Sequence, residues 1–334
     1  MKQLRIFSFS VVLIAGFLYT LSCNSCQPKK QVAEPELYTR LSPDFNADSA
    51  YAFIQAQVDF GARVPGSPAH EACGDYLTAK LKRYGASVIE QRASITHYDG
   101  KNLPLRNIVA SYQPEKEKRI LLFAHWDSRP FADEESDRQR QRQAITGADD
   151  GASGVGVLLE IARQLQLKPL EVGVDIILFD LEDWGQPSFD EEWVQGDWWC
   201  LGSQYWSEQP HTENYKAAYG ILLDMVGSSN ATFRKEGYSM QYAPGVVEKV
   251  WITAARLGYD NYFLSQSGGY ITDDHLPVNK MKRAPSANII NLKNDTPTGF
   301  APHWHTLSDD MRNIDRNTLK AVGQTVMEVI FSEK

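Results

Sequence analysis

Glu182 and Asp183 stand side by side just past an apolar run of Ile176, Ile177, Leu178, Phe179 and Leu181. Residues that could share chemistry with them come in further clusters: His125-Trp126-Asp127, Asp149-Asp150-Gly151, Asp224, Asp273-Asp274-His275 and Trp304-His305. Singly each is weak, because a lone histidine is more often a core or surface residue than a ligand and Asp-Asp-Gly is a common turn. Together they offer imidazole nitrogen and several carboxylate oxygens, a donor set that suits zinc. If residues 175–183 form one strand, Glu182 and Asp183 point opposite ways, so one can serve a metal and the other a proton.

Positioning these groups takes a particular kind of scaffold. Residues 120–124 (Ile-Leu-Leu-Phe-Ala), 175–179 and 220–226 are near-continuous apolar runs, as expected of strands covered on both faces. Each leads into one of the polar clusters, and carboxyl ends of such strands are where open α/β sheets build their sites. Residues 87–95, 107–112 and 286–292 read as further strands. Helices are expected over residues 49–59, around Cys73, Leu77, Leu81 and Tyr84, over 155–165, and from Leu319 to the end. Residues 63–68 and 147–154 read as loops from their glycine, proline and aspartate content. This alternation predicts an α/β, three-layer αβα fold with a mostly parallel, mixed central sheet and one catalytic domain.

The 334 residues carry a net charge of −8 and no long basic block, so nucleic acid is not an expected partner. Lys2 and Arg5 precede an apolar stretch over residues 7–21, the pattern of a signal peptide rather than a spanning helix. Leu21-Ser22-Cys23 is similar to a bacterial lipobox, although Thr20 stands where leucine is usual; an ordinary cleaved signal or an uncleaved anchor fits the same run. The expected organisation is a signal peptide over 1–22, a lipidated or flexible tether over 23–45, and the catalytic domain over 46–334. The expected location is the periplasm, with membrane contact only through the N-terminal anchor. Cys73 and Cys200 are left in the body, either paired or free.

The order of motifs resembles the zinc-dependent M28 peptidase superfamily: His125-Trp126-Asp127-Ser128, Gly147-Ala148-Asp149-Asp150, Glu182-Asp183, Leu223-Asp224 and His305-Thr306. Phe300 four residues before Trp304-His305, Asp273-Asp274-His275-Leu276-Pro277 and Pro65-Gly66-Ser67-Pro68 look like its glutaminyl-cyclase branch. The resemblance implies one zinc per chain on Asp150, Asp183 and His305, and Glu182 as general base and acid. It further implies an acid pair of Asp224 and Asp273, and a substrate slot with Trp304 and Phe300. The implied reaction closes an N-terminal glutamine of a peptide or protein to pyroglutamate, releasing ammonia. The alternative branch, the zinc aminopeptidases, would use His125 and Asp224 on a second metal, with Asp127 orienting the histidine. Two positions depart from the cyclase pattern: Asp183 stands where glutamate is common, and Asn288 where the animal enzymes have histidine. Trp193, Trp198 and Trp199 lie in the long segment 184–200, and either one of them completes the pocket wall or the group is an aromatic cap on the domain.

Overall fold

The computed structural model describes residues 38–334. The signal peptide and most of the tether expected from the sequence lie outside them. Among the described residues no helix is long and apolar enough to cross a membrane.

The centre is a six-stranded sheet in the order β1-β2-β4-β3-β5-β8. Its strands are β1 (Ser87–Thr96), β2 (Asn102–Tyr112), β3 (Arg119–His125), β4 (Gly173–Phe179), β5 (Tyr219–Asp224) and β8 (Ser286–Ile290). β4, β3, β5 and β8 run parallel, and β1 and β2 are joined antiparallel, with β2 antiparallel to β4. β3, β4, β5 and β8 are buried almost throughout, whereas β1, at the edge, has no fully buried residue. That matches the apolar runs of the inner strands. A small sheet of β6 (Phe233–Lys235) and β7 (Phe263–Ser267) meets the chain just past β8 through a bridge between Phe233 and Asn291.

One face of the sheet is covered by α1 (Ala47–Val58), α2 (Pro68–Arg83), α3 (Ala152–Leu167), α6 (Pro244–Arg256) and α8 (Arg316–Phe331). Ile120, Leu122, Ile176, Leu178, Ile221 and Leu223 point into this layer. The alternate residues Leu121, Phe123, Ile177, Phe179 and Leu222 point the other way, toward α4 (Leu201–Glu208) and α7 (His275–Lys280), where Trp206 and Val278 meet them. The period of two thus sorts each strand between two apolar layers. A short helix, α5 (Gly237–Tyr242), precedes α6.

Three expectations need correction. β4 ends at Phe179, and Leu181 takes a left-handed φ of 55°, so Glu182 and Asp183 sit on a turn and not on a strand. β5 stops at Asp224 for the same reason, with Met225 at φ 49°. The packed domain also begins by Tyr38 and not at residue 46. Tyr38 Oη, Ser42 Oγ and the amides of Leu41 and Ser42 all donate to Glu328 of α8. Phe45 is buried against Gly323 of the same helix, where a Cβ would come within 2.3 Å of its ring. Burying that ring stabilises the attachment by roughly 1.5–3 kcal/mol.

Candidate active site

The chain crosses from strand to loop at one end of the parallel strands, and the polar clusters gather there. His125 is the last residue of β3 and Asp224 the last of the neighbouring β5. The turn after β4 supplies Glu182 and Asp183, and the loop before α3 supplies Asp150. Gly151 is required beside it: φ is +91°, and a Cβ would lie 2.8 Å from Asp127 O and 2.9 Å from the His125 ring.

Two carboxylates fix the backbone of these loops. Asp127 accepts from the amides of Glu182 and Asp183, each at 3.2 Å. Asp309 accepts from the amides of Asp149 at 2.8 Å and Asp150 at 3.1 Å. Asp149 turns away, accepting from the Gly227 amide and pairing with His303. Asp150 is therefore the member of that pair that faces the centre.

Asp150, Asp183 and His305 bring one donor atom each to within 4.8 Å of one another, and all three are buried. His305 Nε2 lies 3.2 Å from Asp183 Oδ1 and 3.6 Å from Asp150 Oδ2. Asp183 Oδ2 is buried with no hydrogen-bond partner among the described residues. A buried carboxylate oxygen without a donor is costly unless a cation or proton meets it, so the three residues fit a metal ion. A second triad, His125, Asp150 and Asp224, is equally close: His125 Nε2 is 3.0 Å from Asp150 and 3.3 Å from Asp224.

The electrostatics follow from crowding acids out of water. Burial pushes the Asp150 carboxyl up to about 6, with the charge of Asp183 adding to the shift. Burial also holds Glu182 well above the usual carboxylate range; the charges of Asp183 and Asp273 raise it further, against the pull of His125. Asp273 is raised well above its usual value by burial and by the Asp224 and Asp274 charges. Asp183 goes the other way, because His305 and Arg129 outweigh its desolvation.

A cavity of about 380 Å³ opens onto these groups. Asp150, Glu182, Asp183, Asp224, Asp273 and His305 form its polar side, and Trp199, Trp304, Phe300, Ile290 and Met225 its apolar side. Trp304 stacks on His305 with ring centroids 3.7 Å apart, and Phe300 leans on Trp304 at 4.6 Å. Trp199 is the aromatic of the 184–200 segment that reaches the cavity; its ring lies over Gly185 and parallel to His305.

All eight residues singled out from sequence for catalysis, metal and substrate line this one cavity. Several neighbours were not assigned a role from the sequence. Cys200 Sγ donates to Glu182 Oε1 at 3.2 Å. Asn288 donates to Asp273 Oδ2 at 2.6 Å, so the position that departs from the animal pattern still touches the acid. Asp133 faces His305 and is paired with Arg129, and only their spacing of four could suggest that pair. Among the described residues Cys73 and Cys200 are both buried free thiols, so they do not pair with each other.

Residues 107–330 match the family model for peptidase family M28. The chain belongs to peptidase family M28. Within the family it is similar to a Tannerella forsythia glutaminyl cyclase of known structure, at 57% identity over 87% of this chain and 100% of that one, with a TM-score of 0.86. It is equally similar to a Zn-dependent exopeptidase from Parabacteroides distasonis, at 56% identity, the same coverage and a TM-score of 0.86. A more distant relative is the Bothrops jararaca glutaminyl-peptide cyclotransferase, 24% identical over 81% of this chain and 77% of its own length.

Proposed function

We propose that this M28 protein is a glutaminyl-peptide cyclotransferase that closes the N-terminal glutamine of peptides and proteins to pyroglutamate, with one zinc held by Asp150, Asp183 and His305. The observation that carries the reading is the stack of Trp304 on His305, which puts an aromatic slot directly beside the acids of a small cavity. A folded glutamine side chain fits such a slot, and its amide would lie against Glu182. Zinc, when bound, supplies Lewis-acid polarisation of the γ-carbonyl.

The protein's own groups do the rest. Trp304, Phe300 and Trp199 hold the glutamine side chain folded back, so that the α-amine meets the δ-carbon at high effective concentration. As that C–N bond forms, Glu182 takes a proton from the attacking nitrogen. It then gives the proton to the departing amide nitrogen as the old C–N bond breaks, and ammonia leaves. A carboxyl raised by burial suits both transfers. Asp224 and Asp273 both line the cavity, Asn288 holding Asp273, and the pair would meet the substrate's nitrogen atoms there. The aromatic walls exclude water, which would otherwise hydrolyse the same amide to glutamate.

The second reading, an aminopeptidase, is favoured by one observation: His125, Asp150 and Asp224 form a further triad suited to a second metal. Incubating the zinc-loaded protein with a Gln-initiated and a Leu-initiated peptide separates the two. Loss of the mass of ammonia from the first, with the second intact, supports cyclisation; free leucine from the second overturns it.

Export and anchoring through Cys23 are part of the proposal, supported by the leader pattern in the sequence. A Cys23→Ala chain is expected to leave the membrane fraction, and its retention there would remove the lipid anchor.

A further inference from the structure

We propose that Asp133, held by Arg129, is the positioning residue that sets the tautomer and direction of His305 and so tunes the affinity of the metal site. The inference rests on the reading of Asp150, Asp183 and His305 as the metal shell.

Three contacts from residues 133–135 hold His305 and the turn that follows it. Its Nδ1 faces Asp133 Oδ1 at 3.4 Å, while its Nε2 faces Asp183 and Asp150. Its carbonyl oxygen accepts from the Glu134 amide at 3.1 Å. Two residues on, the Leu307 amide donates to Glu135 Oε1 at 3.0 Å. The clamp has something to hold, because His305 has a left-handed φ of 52°, which costs a non-glycine residue energy and persists only where neighbours enforce it.

Asp133 is itself fixed. Arg129 Nε and Nη2 bind its two oxygens at 2.7 and 2.6 Å, both side chains being buried. The Ser188 amide donates to Asp133 Oδ2 at 3.0 Å. The same guanidinium donates to the carbonyls of Asp183 at 3.0 Å and Gly185 at 3.3 Å, and its carbon lies 4.6 Å from the Trp199 ring centre. One buried ion pair thus touches a metal-site histidine, the backbone of a metal-site aspartate and an aromatic wall. Such a pair is not retained for stability alone, since an apolar replacement often does as well. Its geometry serves position: a carboxylate at Nδ1 keeps the proton on that nitrogen and leaves the Nε2 lone pair directed at the other two acids.

The test compares wild type, Asp133→Asn and Asp133→Ala, each purified, stripped and reloaded with zinc. Zinc affinity is read by competition with a chromophoric chelator, and the His305 tautomer by nitrogen-15 NMR of histidine-labelled protein. Wild type should show a protonated Nδ1. Asp133→Ala should weaken zinc about 10- to 100-fold and lose the fixed tautomer. Asp133→Asn, which keeps an acceptor oxygen, should recover part of both. If Asp133→Ala does not fold, Asp133→Asn with its intermediate affinity carries the test. Unchanged affinity together with an unchanged tautomer in either folded variant would overturn the assignment. A wild-type protein that binds no zinc would instead overturn the metal shell beneath it.

Discussion

The thiol of Cys200 donates to Oε1 of Glu182 across 3.2 Å, with Glu182 in the cavity wall and the buried thiol behind it. The contact orients one carboxylate oxygen and leaves the other for a substrate proton. Cys200→Ala should lower kcat about fivefold, the worth of roughly 1 kcal/mol of weak hydrogen bonding, with KM little changed. Steady-state kinetics on a Gln-initiated peptide check this, and an unchanged kcat would leave the thiol as packing only.

Glu182→Gln removes the proton acceptor but keeps the shape of the side chain. Turnover should fall by about two to four powers of ten, while zinc content stays at the wild-type level. Residual activity near wild type would take Glu182 out of the reaction.

Trp304 lies against both His305 and Phe300. Trp304→Ala should open the slot to water and raise KM for Gln-initiated peptides. It should also yield some glutamate beside pyroglutamate, visible by mass spectrometry. Trp304→Phe, which keeps an aromatic face, should sit closer to wild type.

Glu236 pairs with buried His275 at 3.0 Å and caps α5 by accepting from the Tyr238 and Ser239 amides. Burial pushes its carboxyl up, but His275, the Ile271 amide and Ser239 pull harder, bringing it down to about 2 from an ordinary 4.5. A carboxyl lowered in the folded state adds stability that is present above the unfolded value and is lost as pH falls through the folded one. The stability gap between wild type and Glu236→Gln should therefore shrink as pH falls from 4.5 to about 2. Urea titrations across that range measure it, and a gap independent of pH would contradict the pairing.

Much of this architecture was legible because inner strands announce themselves. Residues 120–124, 175–179 and 220–224 are apolar on both faces, and the acids at their ends had few other places to be. The turns were harder. Leu181 and Met225 end their strands by backbone conformation, and neither residue type signals a left-handed φ. The attachment of residues 38–45 was hidden because Glu328, its main anchor, reads as an ordinary surface acid of a helix. Asp309 and Asp133 went unnoticed for a related reason: their partners are backbone amides and a guanidinium distant in sequence or unmarked by any pattern. Trp199 could not be told from Trp193 and Trp198 until Gly185 was seen beneath it.

Cyclisation and hydrolysis differ in which nucleophile reaches the glutamine carbonyl. Running the reaction on a Gln-initiated peptide in heavy-oxygen water, with mass spectrometry of the product and an ammonia assay, reads this directly. The account predicts a pyroglutamyl peptide with no heavy oxygen and one ammonia per turnover; heavy oxygen in a glutamyl peptide or in a newly freed carboxylate would contradict it.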